Sequence, residues 1–228
     1  MFAYRGLLWD GTVTTVQLGL ASLLLALTLG LLGAWAKLSG AKLAVMLADA
    51  YTTLVRGIPD LVLMLLIYYG GQKLINDLGE WTGLWDFVLV SQFVAGFGTI
   101  GFIFGAYMTE TFRGAILAIP RGQIEAGIAC GMPGALIFRH IIWPQMVRYA
   151  LPGFTNNWLV LIKTTALVSI IGLQDLVYNA LTAGRSTRQL FTFMFAVLVI
   201  YLILTALSEL GLKWLDKRYS AGLRESTG

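Results

Sequence analysis

Charge is what this sequence has least of. Only 12% of its 228 residues are Asp, Glu, Lys or Arg, against about 25% in a typical soluble domain. Hydrophobic residues make up 57% on a count that leaves out 26 glycines. A chain so poor in charge has to set its apolar surface against something other than water, and the bilayer fits. Cysteine is nearly absent too: Cys130 stands alone, so no intrachain disulfide can form, and it reads as a small apolar filler in a loop. His140 is the single histidine, which excludes a His-Glu-x-x-His metal site; beside Arg139 it reads as a solvated or interfacial side chain. The methionines are scattered, so neither residue type suggests a metal. No Gly-x-Ser-x-Gly elbow occurs, and Lys163-Thr164 lacks the glycine-rich run of a phosphate loop. Catalysis is therefore not expected in this chain. The net charge of +4 comes without a basic run interleaved with aromatics, which excludes a nucleic-acid footprint.

What the sequence does have is long apolar runs bounded by charges. A spanning helix needs about 20 mainly apolar residues, and Gly11 to Ala36, Phe87 to Thr109 and Gln189 to Ser208 satisfy this outright. Leu61 to Gln72 becomes long enough if Lys73 snorkels, and Tyr149 to Ile162 continues across Lys163 to Gln174. The expectation is an all-α integral membrane protein, one domain over residues 1–228, with five transmembrane helices at about 11–36, 59–78, 87–111, 148–170 and 189–212. The mixed segment Ser39 to Arg56 reads as a helix at the inner interface or as an inward extension of the second span. Ala34-Trp35-Ala36 superficially fits a signal-cleavage site, but the preceding run exceeds the roughly 7 to 15 residues of a signal core.

Basic residues accumulate on the cytoplasmic side of a membrane protein. One side of the five-span layout receives Lys37, Lys42, Arg56, Arg113, Arg121, Arg139, Arg148, Lys213, Lys217, Arg218 and Arg224. The other receives Arg5, Lys73, Arg185 and Arg188, and Lys163 falls inside a span. The N-terminus is expected outside, the C-terminus inside, and the polar segment Pro120 to Pro144 in the cytoplasm.

That segment carries the most specific pattern in the chain. Pro120 precedes a run of small and apolar residues, and Gly131, Pro133 and Gly134 force a turn after it. A short helix alone in water is marginal, so it needs a surface to lie on. Glu125-Ala126-Gly127, then Gly131 after three residues, then Ile141, Ile142, Trp143 and Pro144 after nine more, resemble the "EAA" loop of permease subunits in binding-protein-dependent ATP-driven (ABC) importers. Gly127 stands where that pattern has Ala, and Trp143 where it has Leu; Gly127 is expected to loosen the helix and Trp143 to enlarge the return contact.

The resemblance extends over nearly the whole chain. Arg56 to Gly70, Gly105 to Gly114 and Lys163 to Asp175 are similar to segments of polar amino-acid permeases. Ile58-Pro59-Asp60 and Gly153 to Trp158 look most like the Q-type permease of the histidine, lysine, arginine and ornithine importers. The resemblance implies the type I importer permease fold in a bacterial inner membrane. It also implies an M-type permease subunit, two ATPase subunits that bind ATP-Mg, and a periplasmic amino-acid-binding protein as partners. Glu125, Ala126, Gly127, Gly131, Ile141 and Pro144 would then form the loop that docks on the ATPase.

Ionisable and amide groups within spans are costly, so they tend to face protein or a water-filled path. Glu110, Asn156, Asn157, Lys163, Thr164 and Asp175 are the candidates for a substrate path. Glu110 lies three residues before Arg113 and fits an ion pair equally well. Asn156 with Lys163 and Asn157 with Thr164 read as one continuous polar stripe, although asparagines also glue membrane helices together. Asp175 follows Gly172, where the helix is expected to break, and its carboxylate could complement a cationic substrate. The favoured cargo is a basic amino acid; an opine or other polar amino acid is the sibling reading. An ion-coupled secondary transporter or channel has no reason to keep a docking helix, and a structural scaffold leaves the polar stripe unexplained.

Overall fold

A computed structural model describes residues 4–220 and is helical throughout, with no strand among the described residues. Arg224, counted above with the inner basic side, lies outside the described residues. In chain order the helices are α1 (Arg5–Leu38), α2 (Lys42–Gly57), α3 (Asp60–Thr82), α4 (Gln92–Leu117), α5 (Arg121–Ala129), α6 (Gly134–Ile171), α7 (Leu176–Thr187) and α8 (Leu190–Ser220). By length and apolarity α1, α4, α6 and α8 each qualify to cross a membrane, and α2 with α3 makes a fifth candidate only when the two are taken together. The break at Ile58-Pro59 bends that pair by 110°. Of the two readings for Ser39 to Arg56, a straight extension of the second span is thus excluded. Pro59 has no N–H to continue α2, and it biases Ile58 to the extended conformation seen there (φ −111°, ψ 138°).

Between α1 and α4 the helix backbones approach closely. A Cβ on Gly101 would lie 2.7 Å from Leu25 Cδ2, so only glycine fits there. Lipid tails are as apolar as leucine, and membrane helices gain by close van der Waals packing at such small residues. Leu18, Ile100, Phe104, Met108, Leu161 and Val168 fill the space among α1, α4 and α6. A smaller cluster of Leu8, Leu176, Ala180, Phe193 and Val197 joins the start of α1 to α7 and α8.

The third span begins later than the apolar run suggests. Helix α4 starts at Gln92, not Phe87, and continues to Leu117. The preceding residues are held as a strap along α3: Val90 N–H donates to Gln72 Oε1 (2.7 Å), Val88 N–H to Asn76 Oδ1 (2.9 Å), and Gln72 Nε2 to the Val88 carbonyl. Gln72 and Asn76 are one turn apart on α3 and take up the backbone groups that a longer α4 would have satisfied internally. The other long helices overrun their expected bounds, α1 at both ends, α6 back to Gly134 and α8 on to Ser220. At 1.5 Å per residue the 38 residues of α6 span about 57 Å, well beyond hydrocarbon about 30 Å thick. It is therefore longer than one crossing requires.

Candidate functional site

The start of α6 carries α5. Pro120 N-caps α5, where its missing N–H costs nothing because the first-turn donors have no helical partner. At the other end Cys130 is the C-cap and is exposed, not filling a core. Gly131 follows at φ +74°, its N–H donating to the Ile128 carbonyl (2.9 Å), while Met132 N–H reaches back to the Gly127 carbonyl (3.0 Å). This pair of bonds is the Schellman arrangement, which needs a left-handed residue at the position of Gly131.

The return half of the loop is shaped by Pro144. Its ring would collide with the carbonyl of His140 in a regular helix, and residues Phe138–Ile142 widen into a π turn there. His140 Nδ1 lies 3.1 Å from the Leu136 carbonyl within this turn. The turn aims Ile141 at α5, where a Cβ added to Gly127 would come within 2.9 Å of Ile141 Cδ1 and 3.3 Å of Ile137 Cγ1. Gly127 is thus a site of contact between the two halves of the motif and not a source of slack. Gln145 Nε2 donates to Gln123 Oε1 (2.6 Å) and pins the helices a second time. Trp143 is exposed, with its ring 6.1 Å from that of Phe138, and adds apolar surface beside α5 instead of filling the return contact.

With Gly127 turned inward, Glu125, Ala126, Ile128 and Ala129 are left outward-facing; Ile128 is 62% exposed. The helix is anchored on one side and presents a mixed face on the other. Gly127→Leu is expected to push α5 off α6, giving new protease cleavage between residues 120 and 134 while the thermal midpoint changes little; unchanged digestion would contradict the packing role.

The candidate path residues fall into separate groups. Asn157 is buried and donates to Thr111 Oγ1 (3.0 Å) of α4. Thr164 is also buried, with its hydroxyl turned back to the Val160 carbonyl (3.1 Å). Asn156 and Lys163 are exposed on a neighbouring face of α6, along with Tyr149 and Val160. The single stripe expected from the sequence is therefore two, because consecutive residues on a helix sit about 100° apart. No carboxylate pairs with Lys163 among the described residues.

The last turns of α6, Thr165–Ile171, tighten to 3₁₀, helped by Thr165 Oγ1 and Ser169 Oγ donating to carbonyls three residues back. Gly172 at φ +87° ends the helix, at the expected break. Asp175 then N-caps α7, its Oδ1 accepting from Tyr178 N–H (2.9 Å). It is wholly buried, and its segment is held against α1 by Leu176 N–H donating to Thr15 Oγ1 (3.2 Å).

Glu110 belongs to a cluster that the sequence did not reveal. Lys37, at the end of α1, places Nζ 2.5 Å from Glu110 Oε1, 2.7 Å from Asp49 Oδ1 and 2.7 Å from Thr52 Oγ1. Arg113 is a looser partner of Glu110 at 3.4 Å. The i,i+3 spacing pointed to Arg113, and nothing local could point to Lys37 on another helix. Among the described residues no group of three or more His, Cys, Asp or Glu side chains is placed to hold a metal ion.

Residues 15–221 match the family described as "Binding-protein-dependent transport system inner membrane component". The chain belongs to this family. It is 46% identical over 226 residues to the histidine/lysine/arginine/ornithine transport system permease protein HisQ of Escherichia coli (strain K12), covering 99% of each chain. It is 40% identical over 213 residues to the octopine transport system permease protein OccQ of Rhizobium radiobacter, covering 93% of this chain and 90% of the other. Among solved structures, a crystal structure of an amino acid ABC transporter with histidines superposes with a TM-score of 0.81 at 30% identity, covering 96% of both chains. The MetNI methionine ABC transporter shares the fold, with a TM-score of 0.67 at 18% identity. The protein is a multi-pass permease subunit of an ABC importer, and ATP hydrolysis resides in separate subunits.

Proposed function

We propose that this permease forms the translocation path for basic amino acids, arginine, ornithine, lysine and histidine, delivered by a periplasmic binding protein. Near-half identity across the full length to a permease named for those substrates supports the class. The path is lined in part by the exposed Asn156 and Lys163 face of α6. Lipid disfavours a cation and an amide on one face, so that face opens to water or to a second permease, an M-type relative. Every amino acid carries a carboxylate, which Lys163 complements, and Asn156 offers a donor and an acceptor. Glu110, Asn157, Thr164 and Asp175 act instead by holding the helices around that path.

The observation that carries the coupling role is α5: anchored through Gly127 and Gln123, it leaves the Glu125, Ala126 and Ile128 face uncovered. This face docks on one of two ATPase subunits, which bind ATP-Mg, and the anchor passes their motion to α6. The basic residues flanking α5 support a cytoplasmic setting for it, with the N-terminus periplasmic and the C-terminus cytoplasmic. In the complete transporter reconstituted with its binding protein, each of the four amino acids is expected to stimulate ATP hydrolysis above the unliganded rate. Failure of all four sinks the substrate assignment. Stimulation by an opine alone favours the sibling reading, supported by the octopine relative.

A further inference from the structure

Helices α1 and α8 start together and run in the same direction. Tyr4 meets Phe193 edge to face at 5.7 Å, and Leu8 packs with Phe193 and Val197. Beyond that contact a groove of about 680 Å³ lies between them, walled by Leu8, Trp9, Val13 and Val16 on one side and Ile203 and Leu204 on the other. Thr12 also lines it, but its hydroxyl donates to the Leu8 carbonyl at 2.7 Å, so only its methyl is left for the groove. Arg5 stands at one end and Gln17 at the other.

We propose that this groove holds one acyl chain of an anionic phospholipid, with the headgroup phosphate against the Arg5 guanidinium. Length and charge support that occupant. From Arg5 to Gln17 the groove runs about 18 Å along α1 at 1.5 Å per residue, close to one leaflet of a hydrocarbon core about 30 Å thick. The wall is apolar along its length, and the one cation sits at the end where a headgroup lies. No carboxylate engages Arg5 among the described residues. Trp9, one turn further in, is 68% exposed, as suits a ring at the level of the interface. The site depends on the chain lying in a membrane, as its family does, and not on which amino acid is carried.

The test uses the complete transporter in nanodiscs of phosphatidylcholine containing a minor fraction of phosphatidylglycerol, with retained lipid measured by native mass spectrometry. The parent is expected to retain phosphatidylglycerol about five-fold over its share of the disc, the factor for one Arg at an anionic surface. Arg5→Gln is expected to lose that preference while still holding a lipid. Val13→Trp, which fills the groove, is expected to lose the retained lipid, with the thermal midpoint checking that the complex remains folded. Equal retention of the two lipids by the parent, or an undiminished preference in Arg5→Gln, overturns the proposal. So does a photo-crosslinker at position 204 that captures another subunit in place of lipid.

Discussion

Replacing Lys37 with Met is expected to lower the thermal midpoint of the purified transporter by several degrees. The side chain of Lys37 is only 7% exposed, and its ammonium is the shared partner of Asp49 and Glu110. Without it Asp49 and Glu110 lose their shared cation, Glu110 keeping only the looser Arg113 at 3.4 Å, and Thr52 loses the donor that joined it to α1. Breaking a buried ion pair from one side costs about 3–5 kcal/mol, because the remaining charge keeps its desolvation penalty. Asp49 is 57% exposed and recovers water, so the lower end of that range applies. The double variant Lys37→Met with Glu110→Gln removes the more buried of the two carboxylates and is expected to restore part of the loss. A midpoint unmoved by Lys37→Met, or a double variant worse than the sum of the singles, would show that the cluster does not tie the helices.

A second large effect is expected at Gly131. Its φ of +74° lies where a β-branched side chain is strained by about 1–2 kcal/mol, and Gly131→Val removes the turn that sets the angle between α5 and α6. No neighbour lies within 4 Å of the position a Cβ would take, so the effect is one of backbone and not of crowding. Coupled uptake is expected to fall about tenfold, the change that 1.4 kcal/mol corresponds to. Gly131→Asn tolerates the left-handed region and is expected to keep most of the uptake. ATPase subunits should co-purify less well with the Val variant. If Val and Asn variants transport alike, the turn does not govern docking.

Much of this architecture is legible in the sequence because single residues with strong local physics mark it. Pro120, Gly131 and Pro144 fix where α5 starts, where it stops and where α6 widens, and each acts through its own backbone. Gly172 marks the break before Asp175 in the same way. The start of α4 is not legible, since Phe87 to Ser91 is as apolar as the helix that follows; the side chains of Gln72 and Asn76, remote in sequence, decide it. The two polar amides, one turn apart on α3, are the only local hint. Lys37 is hidden for the same reason, being 73 residues from Glu110. Asn156 and Asn157 were legible as polar, but which one meets α4 depends on how α6 is rotated, and that is settled by packing around Met108 and Thr111.

The Lys37 cluster also says where movement can and cannot take place. By binding the end of α1 to α2 and α4 with charge at short range, it makes those three helices one block on the side from which α5 projects. The seam between that block and α6 is of another kind, closed by a neutral amide and hydroxyl, Asn157 and Thr111, and by a glycine packed on a methyl at Gly153 and Thr111. Neutral contacts of this sort re-form after a small slide, whereas a desolvated ion pair resists opening. With α5 docked on the ATPase as proposed, a push delivered through it is expected to be taken up at the α4 to α6 seam and not within the Lys37 block.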